Sequence, residues 1–592
     1  MTVQELLLQY EGRMRELQAG LEQARFHNTL AAGALAIAFT LFLMLGLLAV
    51  RQQVSFLWPS IPIPLAAASA LRFQRYRQSR HRMGRLLRFY DRAVQRVQGS
   101  WAGNGVNGEE FSDPGHVYAR DLDIFGIGSL FELLCTARSA IGQRGLAEYL
   151  LKAPAVEETL LRQEAVRELR GRVDLRERVA LLGDFEFCES RWETFAEWLN
   201  VPSVSFSRTL RIPALITSVL VAGVVVGGLM GLIPWIRVAI WITPLVAFHS
   251  AVGLLFRRRV NKMISCLGPV RIETQVLREG LRLLEENQFQ SVKLRQITDR
   301  VWNNSKSVLK LERLLQALDE RNKEWFYGPS LFLLVGTQLC MAIEHWQIEH
   351  RTKLRVWLDA WAEFEALNAL AHYAYENPEN TFPEFSSETR FEAEALGHPL
   401  LSSVSCVRND LELNRDCQFY VVSGSNMSGK STLLRAIGLN AVLAFAGAPV
   451  RARVLKLSRF SVCASLSVVD SLLNGKSKFM AEVDRLRQTI EAAAVEPVLF
   501  LIDEILGGTN SRDRRIAAEA VVRTLVNRGA IGAISTHDLA LSEIAASELR
   551  GENVHTGCRN GSDPMDFDYR LKPGVTNEAN ALLIARMAGV PI

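Results

Sequence analysis

The 592-residue sequence holds eight cysteines and no C-x-x-C pair among them. That scatter excludes a disulfide framework or a paired-cysteine zinc site and fits reduced thiols in a cytosolic setting. Excess charge is also scarce: 68 Lys and Arg against 63 Asp and Glu leave a formal net charge of +5. So small a surplus neither demands nor excludes a polyanionic partner. A cleavable leader is not expected either. Glu5, Glu11, Glu16 and Glu22 precede the first apolar run, and no small-residue cleavage site follows it. With 48% hydrophobic and 22% charged residues the composition is globular, and the length allows several domains.

Long apolar runs are what the sequence has in quantity. Thr29 to Val50 contains no charge in 22 residues, and Val54 to Leu71 follows after three residues, carrying three prolines. Ile212 to Ile236 and Val238 to Phe256 are separated by Arg237 alone. A spanning helix needs roughly 20 apolar residues, so the runs are expected to form two transmembrane hairpins, residues 29–71 and 208–259. Arg72, Arg75, Arg77, Arg80, Arg82 and Arg85 crowd the exit of the first pair. Arg208 and Arg211 precede the second pair, and Arg257, Arg258, Arg259 and Lys262 follow it. By the positive-inside rule the N-terminus, the helical core and the C-terminal domain lie in the cytoplasm, and the chain is a multi-pass protein of the plasma (inner) membrane.

The run Trp325 to Ile343 contains Gly328, Pro329 and Gln338 and is expected to be a buried core helix. Residues 1–28 read as an amphipathic helix, with Val3, Leu7, Tyr10, Met14, Leu17 and Leu21 spaced as a three-repeat heptad seam. Residues 72–207 and 260–390 have a charged helical pattern, and short β-rich runs alternate with helical ones from 391 to 592.

The stretch GSNMSGKST, Gly424 to Thr432, matches G-x-x-x-x-G-K-[ST] between an apolar strand and a helical run. Backbone N–H groups of Gly424, Ser425, Asn426, Met427, Ser428, Gly429 and Thr432 would cradle nucleotide phosphates. Lys430 would reach the β- and γ-phosphates, and the Ser431 hydroxyl would ligate Mg2+. Downstream, VLFLIDE ends a strand in two carboxylates. Asp503 is placed to hold Mg2+, and Glu504 is the natural general base for the attacking water. A further strand delivers His537 where a γ-phosphate sensor would sit.

At these residues the chain resembles the MutS family of DNA mismatch repair proteins. VVSGSNMSGKSTLLR, LFLIDEILGGTNSRDR, STHDLALSE and YRLKPGVTNEANALLIARMAGVP look like its ATPase domain. GSLFELLCTARSAIGQRGLAEYLLKAP and WAEFEALNALAHYA resemble its helical core. The resemblance implies a homodimeric ABC-type ATPase with ATP and Mg2+ sandwiched between subunits and C-terminal dimerisation helices. It implies that Ser477, in NGKSKFMAEV, acts in trans on the partner's γ-phosphate, with Lys478 departing from the usual threonine. Gly507, Gly508, Thr509 and Asn510 match the loop that faces the other subunit. Tyr569 matches the side chain that stacks on adenine, whereas the partner aromatic expected near Cys406 is missing.

The expected fold is thus multidomain, α plus α/β: a helical lever domain interrupted by two transmembrane hairpins, followed by an ABC-type P-loop ATPase. The expected function is a Mg-dependent ATPase coupling nucleotide to lever movement, tethered to membrane lipid by the hairpins. DNA is a possible partner, although the mismatch-reading domain of the family is replaced by the first hairpin. The alternative is an ABC-type, transporter-like membrane ATPase that does not act on DNA; against it, no L-S-G-G-Q segment precedes Asp503.

Overall fold

A computed structural model of the chain describes residues 2–183, 198, 208–265, 267–320, 333–403, 405–425, 427–466, 478–507, 510–537, 539–546, 550–559 and 566–576. The helical part runs through α1 (Val3–Val50), α2 (Pro62–Gln98), α3 (Leu130–Leu134), α4 (Ala140–Leu151), α5 (Val156–Arg170) and α6 (Val173–Ala180). It continues through α7 (Arg208–Leu229), α8 (Trp235–Ser265), α9 (Leu267–Glu286), α10 (Val292–Val301), α11 (Ser305–Glu320) and α12 (Val335–Glu376). Then follow β1 (Glu384–Ser386), β2 (Phe391–Leu396), β3 (Asn409–Leu413), β4 (Phe419–Ser423), α13 (Lys430–Ala446), β5 (Val454–Ser458) and β6 (Ser461–Ser465). The described residues continue through α14 (Lys478–Ala493), β7 (Val498–Asp503), α15 (Ser511–Asn527), β8 (Ile531–Thr536), β9 (Gly551–His555) and β10 (Lys572–Pro573).

Two compact units emerge. One comprises Met1–Leu134, Arg170–Leu181 and His372–Ile592; the other comprises Cys135–Leu169 and Leu182–Ala371. In the first unit, α1 starts with a capping box in which Glu5 N donates to Thr2 Oγ1 and Thr2 N to Glu5 Oε2. The helix is unbroken for 48 residues, about 72 Å at 1.5 Å per residue. The expected boundary at residue 28 therefore falls inside one helix. The seam is also displaced: Leu6, Tyr10, Leu17, Ala24, Ala31 and Ala38 are buried, whereas Val3, Leu7, Met14 and Leu21 are half-buried. The reason is the partner. Leu6, Tyr10 and Leu17 pack on Leu86, Tyr90 and Ala93 of α2, and His27 stacks on Tyr76 with ring centroids 5.1 Å apart.

The second apolar run is helical mainly in its latter part. Residues 51–61 form a turn and a short 3-10 segment, and α2 begins only at Pro62, whose missing N–H is harmless at a helix start. Ten residues then remain before Arg72, about 15 Å of helix, half a hydrocarbon core. Among the described residues three helical segments are long and apolar enough to cross a membrane: Val3–Val50, Ile212–Leu229 and Trp235–Arg258.

The first unit also contains the α/β part. A six-stranded sheet has the order β10-β9-β4-β8-β7-β6, parallel except for β10. A second sheet has the order β1-β5-β2-β3. Because β1 pairs with β5, the domain starts before the expected boundary at 391. Residues near 120 also belong here: Asp121 Oδ1 accepts from Leu466 N at 2.8 Å, and Ala464 N donates to Val117 O at 3.0 Å. The core gathers Phe500, Ile502 and Ile505 with Leu486 and Val522.

The second unit is helical. Arg300 grips Glu363 through two bonds of 2.9 Å, and Lys293 bridges Glu363 and Glu158. Within the run Trp325 to Ile343, residues 325–332 lie outside the described residues. Cys340, Met341 and Ile343 are buried as expected, and Gln338 Nε2 donates to Ser218 Oγ of α7 at 2.8 Å.

Candidate ATP site

The site forms where β4, β7 and β8 end side by side, Ser423 in register with Thr536 and Asp503 with Ser535. In parallel α/β sheets ligands collect at these carboxyl ends. The loop after β4 needs two glycines. Gly424 has φ +153°, and a Cβ there would meet Thr556 O and Ser428 Oγ at 2.7 Å; Gly429 has φ +94°, and a Cβ would strike the Tyr569 ring at 2.9 Å. Met427 is left-handed too, at φ 71°. Ser428, fully buried, donates to Ser425 O at 2.8 Å and meets Thr556 Oγ1 at 2.7 Å, which anchors the loop to the residue just past β9.

Lys430 opens α13 and sends Nζ back to Gly424 O at 2.8 Å and Ser425 O at 2.9 Å. Burial lowers its pKa, and the carboxylates of Asp503 and Glu504 oppose that shift. Ser431 Oγ donates to Asp503 Oδ2, and Ser535 Oγ donates to Asp503 Oδ1. Both carboxylate oxygens are thus held, and Ser431 and Asp503 present hard oxygens that fit Mg2+. Thr432 is exposed and Ser425 half-buried, whereas Asn426 lies outside the described residues.

Glu504 sits just past β7 in a left-handed conformation, φ 51°, followed by Leu506 at φ 53°. Each such non-glycine residue costs on the order of 1–3 kcal/mol and persists only where its surroundings impose it. The loop is imposed from several sides. Glu504 N donates to Ser535 O at 3.1 Å, Arg514 Nε of α15 to Ile505 O at 2.9 Å, and Leu506 N to the buried carboxylate of Glu482 on α14. The Glu504 side chain is half-exposed and meets His537 Nδ1 at 2.9 Å. Ser477, Gly508 and Thr509 lie outside the described residues, and Asn510 caps α15 by accepting from Asp513 N at 2.9 Å.

Tyr569, half-exposed at φ 54°, lies against Gly429, and Asn409 clamps its backbone: Nδ2 donates to Tyr569 O at 3.0 Å and Oδ1 accepts from Leu571 N at 2.8 Å. Cys406, at the position without an aromatic, accepts from His398 N at 3.2 Å. Sequence reasoning missed Ser535, Thr556, Asn409 and Glu482. Ser535 stands in the same STHD stretch as His537, and Glu482 in the NGKSKFMAEV stretch with Ser477.

Residues 420–592 match the family model described as MutS domain V. Among curated relatives, the DNA mismatch repair protein MutS of Lactobacillus delbrueckii subsp. bulgaricus is 31% identical over 237 residues, covering 39% of this chain and 28% of the relative. The MutS of Methanosarcina mazei is 30% identical over 291 residues, 46% of this chain and 32% of the relative. That of Geobacillus thermodenitrificans is 31% identical over 261 residues, 43% and 28% respectively. The chain thus spans about a third of the length of the curated relatives it matches. The similarity to the MutS family thus lies in this C-terminal domain.

Proposed function

We propose that the chain is a Mg2+-dependent ATPase, working as a homodimer whose two ATP sites are each completed by the partner, and tethered to a membrane by its apolar hairpins. The observation that carries this reading is the convergence of Lys430, the doubly held Asp503 and the Glu504–His537 pair at the ends of three parallel strands. Lys430 and the loop N–H groups would hold the phosphates, with Tyr569 at the base. Glu504 would take a proton from water as its oxygen attacks the γ-phosphorus. The β,γ-bridging P–O bond then breaks and ADP and phosphate leave. Mg2+, held by Ser431 and Asp503, would supply neutralisation of phosphate charge. Ser477 is assigned its trans role on the resemblance alone.

The hairpins supply the second half of the reading. Large apolar side chains such as Phe39, Leu47, Val219 and Leu254 face outward, a surface that favours lipid over water. α1 and α2 also continue beyond their apolar parts into a buried polar cluster beside the α/β part. There Arg96 holds Glu376 through two bonds of 2.8 Å. Nucleotide-driven pairing of the ATPase domains would be felt by the first hairpin through that cluster. DNA enters as a partner because the relatives are named for mismatch repair. The same names favour this reading over transport.

The test uses protein from carbonate-washed membranes. Glu504→Gln is expected to keep ATP binding and lose about 10²- to 10⁴-fold in turnover, and to accumulate as a dimer with ATP. Normal turnover in that variant would remove Glu504 from the base role. Recovery of the chain in the carbonate supernatant would remove the membrane.

A further inference from the structure

We infer that Glu482 is a positioning residue for the general base, a carboxylate on α14 that holds the Glu504 loop in its active shape. The inference rests on the ATPase reading above. Glu482 lies in the second turn of α14 and is only 5% exposed. Its Oε1 accepts from Leu506 N, two residues beyond Glu504. A buried carboxylate must find donors for its charge, and here it finds a backbone N–H in a segment with two left-handed non-glycine residues. Around that bond, Ile505 and Leu506 are buried in the same core as Leu486, one helical turn beyond Glu482. The Glu504 backbone is thus fixed while its side chain stays half-exposed toward His537.

The consequence is a link between two functions. α14 begins one residue after Ser477, the group assigned to the partner's nucleotide. A shift of that segment reaches the chain's own base through one side chain and one hydrogen bond. Glu482 does not touch the reacting atoms. It acts through the φ of Glu504, so its loss should appear in turnover and leave nucleotide affinity alone.

The test compares wild type, Glu482→Met and Glu482→Gln in the full-length protein. Methionine keeps the volume and removes the acceptor, whereas the glutamine carbonyl can still accept from Leu506 N. Glu482→Met is expected to lose about ten- to a hundred-fold in kcat, with the ATP concentration for half-saturation within about twofold of wild type. Glu482→Gln is expected to recover most of that loss. Amide exchange gives a measurement without mutation: Leu506 N–H should be as protected as the β7 core, and fast exchange there would overturn the assignment. So would a Glu482→Met enzyme with wild-type kcat, a loss carried by half-saturation, or a glutamine variant as slow as the methionine one. If wild type shows no ATPase, or Glu504→Gln leaves it unchanged, the ATPase reading itself fails. If Glu504→Gln abolishes turnover and Glu482→Met does not, Glu482 alone is wrongly assigned.

Discussion

Asp503 accepts two hydroxyl hydrogen bonds, one from each side of its carboxylate. Ser431 comes from the loop whose pattern announced it; Ser535 comes from β8, 32 residues downstream. A second hydroxyl of this kind fixes a ligating carboxylate in orientation without itself binding metal. Ser535→Ala is therefore expected to raise the Mg2+ concentration for half-maximal ATPase by about tenfold, with metal-free ATP binding unchanged. Titrating Mg2+ at saturating ATP measures it, and an unchanged requirement would make Ser535 a packing residue only. The contrast also explains what could be read in advance. Gly424, Gly429, Lys430 and Ser431 belong to one contiguous loop, so their spacing in sequence is their spacing in space. Ser535, Glu482 and Thr556 act on residues 24 to 128 positions away, and only strand register and helix packing bring them there.

Elements were legible where one physical rule decides them. The alternation of apolar strands with helical runs after residue 391 reports a parallel sheet, because strands covered on both faces must be apolar throughout. The Val498–Ile502 segment of β7 is buried at every position. Rules in competition were harder. Val54 to Leu71 is apolar enough to span, yet Pro59, Pro62 and Pro64 delay the helix to Pro62, so backbone sterics override hydropathy. Likewise β1 is three residues long and exists because β5 pairs with it. The junction of α2 with the end of α12 was invisible for the same reason. Arg96 and Glu376 are 280 positions apart, Glu376 buried and Arg96 half-buried. Burial pushes the Glu376 carboxyl up, but Arg96 and His372 outweigh it and hold the pKa down to about 2. Arg96→Ala would strand that carboxylate and is expected to cost about 3–5 kcal/mol. Arg96→Met paired with Glu376→Leu, which removes both charges, should cost much less. Denaturant unfolding of the three proteins checks this, and equal losses in single and double variants would contradict it.

At the scale of the whole molecule, the two units carry buried titratable groups that respond to pH in opposite directions. In the helical unit, Glu365 of α12 is buried against the start of α4, accepting from Arg138 N at 2.7 Å and from the Ser139 hydroxyl. Burial raises its pKa from 4.5 to about 7; those hydrogen bonds pull it down, and nearby Glu273 pushes it up. An acid raised in the fold binds its proton more tightly there than in the unfolded chain. Its contribution is complete below pH 4.5 and is lost as pH rises through 7, about 3 kcal/mol in all. In the unit that holds the α/β part the sign reverses. Burial lowers His372 from 6.5 to about 4, with Glu376 opposing, and burial with Arg435 and Arg451 lowers His398 to about 4. Unfolding lets both imidazoles take up protons, so their contribution is complete above pH 6.5 and is lost as pH falls through 4. Between pH 5 and pH 7, the calorimetric transition of the helical unit should therefore move down while that of the unit with the α/β part moves up. Glu365→Gln should flatten the first and leave the second in place. Two transitions moving together, or a Glu365→Gln protein with wild-type pH dependence, would show that Glu365 is ionised in the fold after all.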